Sequence, residues 1–145
     1  NIDNTYKGLE IRGKWKVSSK FSVSWEFNSL DNRLSNGSII PNTQPLSASS
    51  NFRYKSPKRP YGISINTKWI GSYTPSSHDI YSKSWISEKP RDAFIIFDVS
   101  GNYTYNYIKL NIGIKNVSNY TNEVYGPFIG RTFHFEITTK IYGNQ

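Results

Sequence analysis

The chain has 145 residues, with 18 Lys and Arg against 10 Asp and Glu (net charge +8), 16% aromatics and no Cys. That length suffices for one domain with a sizeable core, and the missing Cys excludes disulfides, a thiol nucleophile and a thiolate metal site. No apolar run approaches the roughly 18 residues of a membrane-spanning helix, but a β-barrel passes that filter because only alternate residues of its strands are apolar.

Alternation dominates from the first clear element. KGLEIRGKWKV sets Leu9, Ile11, Gly13, Trp15 and Val17 on one side and Glu10, Arg12, Lys14 and Lys16 on the other. After the short turn Ser18-Ser19-Lys20, FSVSWEFN sets Phe21, Val23, Trp25 and Phe27 opposite Ser22, Ser24, Glu26 and Asn28. A long polar loop, LDNRLSNGSIIPNTQ, leads to a weaker strand, LSASSNFRY, and then to a Pro-bearing turn, KSPKRP. YGISINTKWIG places Tyr61, Ile63, Ile65, Thr67 and Trp69 on one face and Ser64, Asn66 and Lys68 on the other. A second long loop is predicted over residues 72–92. FIIFDVSGNYTY then opposes Phe97, Val99, Tyr103 and Tyr105 to Asp98, Ser100, Asn102 and Thr104. A tight turn at Asn106 leads into IKLNIGIKNV, where Ile108, Leu110, Ile112 and Ile114 alternate with Lys109, Asn111 and Lys115. A loop over 118–127 reaches the closing strand. There Phe133, Phe135, Ile137, Thr139 and Ile141 oppose His134, Glu136, Thr138, Lys140 and Tyr142.

The prediction is an all-β, antiparallel up-and-down meander of about seven strands of roughly 9–12 residues. Ordinary strands average about 5–6 residues, whereas membrane-crossing strands need about 9–11. The connections alternate short and long, which gathers the short turns at one end and the long loops at the other, as in outer-membrane barrels. Trp15 and Phe21, Tyr54 and Tyr61, and Tyr105 and Tyr107 flank the three short turns, with Tyr142 at the same level. Amphipathic aromatics at one height are what a lipid–water interface selects, although strands favour aromatics in any setting. Lys, Arg, Asp and Glu avoid the apolar face, a feature that a sandwich with one wet face would share.

Two stretches resemble a known family. NIDNTYKGLEIRGKW, a short turn and FSVSWEFNSLDNR look like a segment of TonB-dependent outer-membrane transporters, in which a Gly-Leu/Val-Glu strand precedes a hairpin. IKLNIGIKNVSNYTNEVYGPFIGRTFHFEI is similar to their closing segment, through Asn116-Val117-Ser118-Asn119 and Gly130-Arg131-Thr132-Phe133. One departure stands out. Such barrels commonly finish on an aromatic, and here Gly143, Asn144 and Gln145 follow Tyr142.

The resemblance implies that residues 1–145 are the C-terminal part of a transmembrane barrel of about 22 strands around a plugged lumen, with no plug domain in this segment. An isolated seven-stranded sheet would leave two unpaired edges, and each unpaired backbone group in hydrocarbon costs several kcal/mol. The remaining strands and the plug are therefore expected on another polypeptide, the chain being a processed product or a piece broken in an extracellular loop. Further partners implied are outer-membrane lipid, an inner-membrane energy-coupling protein and an anionic small molecule. The cargo would be a ferric siderophore, haem, a cobalamin or a similar scarce nutrient.

On this reading Glu10, Arg12, Lys14, Glu26, Lys68, Asp98, Lys109, Lys115, His134 and Glu136 face the lumen. Their excess of positive charge would either guide an anionic chelate or pair with acids of the plug and the wall itself. Ligand contacts are expected in the long loops, with Arg33, Tyr73, His78, Tyr81, Trp85 and Tyr125 as candidates; the same aromatics could instead pack loop against loop. No catalytic constellation, metal site or cofactor site is legible: His78 and His134 are the only histidines, and no phosphate-cradling Gly loop occurs. Nucleic acid is disfavoured because the aromatics lie apart from the basic residues. Two rivals remain open. One is a soluble seven-stranded β-sandwich for adhesion or carbohydrate binding. The other is a small stand-alone barrel with a further strand near Ile39–Ile40 or Trp85–Ile86.

Overall fold

The computed structural model describes residues 4–35, 37, 39–40, 43–79, 81, 84–87, 89–122 and 127–139. Their regular elements are strands: β1 (Asn4–Lys16), β2 (Phe21–Leu34), β3 (Leu46–Lys55), β4 (Tyr61–Ile70), β5 (Ser76–Asp79), β6 (Ser84–Ser87), β7 (Phe94–Tyr105), β8 (Ile108–Lys115) and β9 (Thr132–Thr139). Seven of them form one sheet in the order β1-β2-β3-β4-β7-β8-β9, and β5 pairs with β6 as a separate ribbon. Apart from the β5–β6 ribbon inserted between β4 and β7, strands that follow one another in the chain are neighbours in the sheet, which is the predicted meander.

The short turns follow from local chemistry. The Ser18 hydroxyl accepts from the backbone N–H groups of Lys20 and Phe21 at 3.1 and 3.2 Å, closing the β1–β2 turn. Ser56 does the same for Arg59 at 3.1 Å between β3 and β4. Short polar side chains favour turns because they offer the backbone such substitute partners. Between β7 and β8 only two residues turn the chain. Asn106 takes φ 51° there, a left-handed value that Asn tolerates better than most residues.

The chain divides into two compact units, residues 1–12, 26–49 and 68–95 in one, and residues 13–25, 50–67 and 96–145 in the other. The first contains the two long connections and a small core of Ile70, Phe94 and the fully buried Pro75. Gly71 donates to the Leu46 carbonyl at 2.9 Å and Leu30 to that of Pro45 at 2.8 Å, tying strand ends together. The second unit contains the short turns and all of β8 and β9. Its register is β7 on β8 (Val99↔Ile114, Gly101↔Ile112, Tyr103↔Leu110) and β8 on β9 (Leu110↔Ile137, Ile112↔Phe135, Ile114↔Phe133).

Several expectations need correction. The second long loop is not irregular throughout, because it contains the β5–β6 ribbon. The Trp85–Ile86 strand exists as part of β6, but it pairs with β5 and not with the main sheet. Among the described residues Ile39 makes an isolated bridge to Arg33. β2 runs six residues beyond Asn28, to Leu34. Among the described residues β1 and β9 stand at opposite ends of the strand order and do not pair, whereas a small closed barrel would pair its first and last strands. The sandwich fails as well: it needs two sheets packed face to face, and the second sheet described is a ribbon of two four-residue strands. Tyr125, Lys140 and Tyr142 lie outside the described residues.

Candidate functional site

The polar face is a laterally bonded wall. Arg12 bridges two carboxylates, Glu10 on its own strand and Glu26 on β2, the latter at 3.3 Å. Residues two apart on a strand share a face, which is why Glu10 and Arg12 meet. Glu26 also accepts from the Asn28 amide at 2.8 Å. On the next strands Asn51 donates to Ser64 at 3.1 Å and to Asn66. Glu136 of β9 accepts from Asn111 of β8 at 2.9 Å, its register partner. His134 lies across Gly113: a Cβ there would fall 2.2 Å from the imidazole and 3.0 Å from the Ser100 Cβ. Gly113 is therefore the gap that lets the ring lie flat on the sheet. Lys14, Lys68, Lys109 and Lys115 are exposed on the same strands.

The apolar face lacks a protein partner to a degree unusual for side chains of this kind. Phe133, Phe135 and Ile137 are 74, 64 and 57% exposed, and Ile112, beside Phe135, is 57% exposed. Trp25 and Ile65 are 44% and 37% exposed. Trp25 lies over Gly13 of β1, where a Cβ would come within 2.3 Å of the indole. Toward the short turns this face becomes aromatic: Phe21 stacks on Phe52 and Tyr54 with centroids 5.8 and 4.9 Å apart, and Tyr54 meets Tyr61 at 6.0 Å. Trp15, Tyr105 and Tyr107 are exposed at their own short turns.

The long-loop candidates separate into different surroundings. Arg33 lies in β2, where its guanidinium binds Asp31 at 2.9 Å and the Gly37 carbonyl at 3.4 Å. Tyr73 is half-buried at the base of the second loop. It exchanges two backbone hydrogen bonds with Arg91, at 3.2 and 2.9 Å, and its hydroxyl accepts from the Arg91 guanidinium at 3.1 Å. His78 and Trp85 are register partners in the β5–β6 ribbon, and Tyr81 is 98% exposed in the turn between them. The ribbon thus gathers His78, Tyr81 and Trp85 on one hairpin, while Tyr73 belongs to its base.

Sequence reading missed Arg91. It is 7% exposed, with its guanidinium 4.2 Å above the Phe94 ring and 5.8 Å from that of Tyr73. A charge this deep is rare unless partnered, and the aromatic faces and the Tyr73 hydroxyl supply attraction for it. Nothing in the local pattern marks it, because its partner lies 18 residues earlier.

The connection from β8 to β9 explains the motif pair Asn116–Asn119 and Gly130–Phe133. Asn116 and Asn119 take φ 50° and 54°. Buried Asn116 donates its amide to the Tyr120 carbonyl at 2.7 Å and accepts from the Tyr120 N–H at 3.0 Å and the Ser118 hydroxyl at 3.1 Å. Its own N–H donates to Asp98 at 2.8 Å. Asn119 accepts from the Arg131 N–H at 2.8 Å, and Arg131 donates two bonds to the Val117 carbonyl at 3.1 and 2.6 Å. Gly130 is required where it stands, since a Cβ would lie 2.5 Å from the Asn119 side-chain oxygen. The two motifs are halves of one joint. Among the described residues no three His, Asp or Glu gather as a metal site would require.

Comparison with known proteins gives a consistent result. The family model "TonB dependent receptor-like, beta-barrel" matches residues 1–117. The match takes in the opening hairpin and stops before Gly130-Arg131-Thr132-Phe133. Three solved structures share the fold. The FpvAI–pyocin S2 complex aligns with a TM-score of 0.77 at 15% identity, over 95% of this chain and 19% of that one. FpvA of Pseudomonas aeruginosa bound to a heterologous ferric pyoverdine gives 0.69 at 14% identity, over 83% of this chain and 16% of that one. The ferripyoverdine receptor of the P. aeruginosa outer membrane, bound to ferripyoverdine, gives 0.63 at 16% identity over the same shares. The chain therefore spans under a fifth of these receptors. A 54-residue stretch is 45% identical to palmitoyltransferase AKR1 of Debaryomyces hansenii, covering 34% of this chain and 7% of that protein. So short an overlap carries no functional argument. With most of its length matched by the family model, the chain belongs to the TonB-dependent receptor-like β-barrel family.

Proposed function

We propose that this chain is the C-terminal part of the barrel wall, with its outer loops, of a transporter that takes up a scarce nutrient across the outer membrane of a Gram-negative cell. A ferric siderophore, haem or a cobalamin fits that class, and a siderophore is favoured by the likeness to ferripyoverdine receptors. Residues 1–145 contribute wall and loops. The remaining strands of a barrel of about 22 and the plug lie outside these 145 residues. Transport would proceed by capture at the loops, then plug rearrangement driven by an inner-membrane energy-coupling protein. The work asked of this chain is binding and guidance, not covalent chemistry.

The observation that carries the reading is the pairing of an exposed apolar face with a bonded polar face on the same seven strands. Side chains such as Phe133 at 74% exposure gain about 25 cal/mol for each Å² removed from water, and a hydrocarbon surround removes that area without a second protein layer. The polar face then lines the lumen, where Lys14, Lys68, Lys109 and Lys115 give it a positive field, Arg12 being paired with Glu10 and Glu26. Arg33 and the ribbon residues His78, Tyr81 and Trp85, with Tyr125, are the proposed ligand contacts, and Tyr73 acts through the loop base. The test is growth on a panel of ferric chelates by cells whose receptor carries His78→Ala with Trp85→Ala. Loss of uptake of one chelate, with receptor abundance unchanged, supports the reading. Unchanged uptake of every chelate the parent strain uses removes the ribbon from the ligand site.

A further inference from the structure

A groove of about 590 Å³ opens at the short-turn end of the second unit, lined by Arg53, Lys55, Arg59, Gly62, Asn102 and Thr104, among others. Phe52 and Tyr54 join the aromatic cluster with Phe21, so alternation puts Arg53 and Lys55 on the opposite, polar face. Gly62 forms the floor: a Cβ there would sit 3.0 Å from the Tyr54 carbonyl and 3.1 Å from the Asn102 amide. The depression is therefore built around bare backbone, with an amide and a hydroxyl on its far wall.

No acid lines this groove. On the described strands of the seven-stranded sheet the acids are committed, Glu10 and Glu26 to Arg12, Asp31 to Arg33, Asp98 to Asn116 and Glu136 to Asn111. Three neighbouring cations repel one another and concentrate a positive potential between low-dielectric walls. An anion from outside this chain would relieve that repulsion. The volume exceeds what one inorganic anion fills, and the planar forks of two arginines suit carboxylates.

We propose that this groove is a docking site for an acidic peptide segment, Arg53 and Arg59 holding its carboxylates while Asn102 and Thr104 bond its backbone. The proposal rests on the reading that the polar face is the inside of a barrel, which puts hydrocarbon on the other side and an interior segment on this one.

The test uses the intact receptor, treated with a carbodiimide that joins lysine amines directly to carboxylates and then digested for mass spectrometry. Lys55 is expected to couple to an Asp or Glu outside these 145 residues, at least fivefold more than exposed Lys89 does. The double variant Arg53→Gln, Arg59→Gln should reduce that coupling by at least fivefold while heat-modifiable migration persists. Lys55 left uncoupled, or coupling indifferent to the double variant, overturns the proposal. So does an anionic phospholipid that co-purifies with the parent and is lost from the variant, because the occupant is then lipid. If the parent receptor itself shows no heat-modifiable migration, the barrel reading fails and this proposal with it. Normal migration with an uncoupled Lys55 removes this proposal alone.

Discussion

The base of the second long loop and the rungs of β7, β8 and β9 solve the same problem in different ways. At the loop base the chain supplies its own surroundings: Ile70, Phe94 and Pro75 are buried, and Arg91 lies between two aromatic rings. On the rungs, Ile112 pairs in register with Phe135 and Leu110 with Ile137, and the side chains of Ile112, Phe135 and Ile137 are largely exposed. The first region is a small protein core. The second leaves the other half of its core to the medium, so its stability depends on what that medium is. The β8–β9 joint resembles the loop base, because Asn116 and Arg131 meet their partners within the chain.

Substitutions sharpen this contrast. The largest effect is expected at Asn116→Ala, which strands the Tyr120 N–H and carbonyl and leaves an alanine at positive φ. Buried groups left without partners cost about 1–3 kcal/mol each, so urea unfolding of the intact receptor should shift by about 3–5 kcal/mol in detergent and in lipid alike. Ile112→Lys should cost about 2–4 kcal/mol in lipid vesicles, the range for a cation on the lipid face near the bilayer centre. Its effect should shrink in loose detergent micelles that let water reach the amine. Arg91→Ala should cost about 2 kcal/mol through the lost ring contacts and the Tyr73 bond, seen as faster proteolysis within residues 74–90 while the strands stay protected. Glu136→Gln, which keeps an acceptor for Asn111 on an exposed site, should stay within about 0.5 kcal/mol of the parent. Equal shifts for Ile112→Lys in every medium would erase the distinction between the two regions.

The strand bodies were legible because an apolar side and a polar side impose period two on Leu9–Val17, Phe21–Phe27 and Phe133–Ile137. Legibility ended where the alternation breaks. β2 continues through Ser29, Asp31 and Arg33 with little apolar rhythm, and the β5–β6 ribbon is built from SSHD and SWIS, too short and too polar to show a period. Tyr73 read as a ligand contact because aromatics in loops resemble binding groups; its hydroxyl is bonded to Arg91, across a separation that local pattern does not reach. The Asn116 and Gly130 motifs were visible as a resemblance, but their mutual locking through Asn119 and Arg131 is a matter of long-range geometry.

The central claim is that hydrocarbon lies against the apolar rows. These 145 residues hold no Cys, so in the intact receptor, with any cysteine elsewhere replaced, single cysteines at Ile112 and at its neighbour Asn111 can each carry a fluorophore after reconstitution in vesicles containing brominated lipid. The account predicts strong quenching by brominated lipid at 112 and weak quenching at 111. Quenching at 112 by aqueous iodide, with none from brominated lipid, would contradict it.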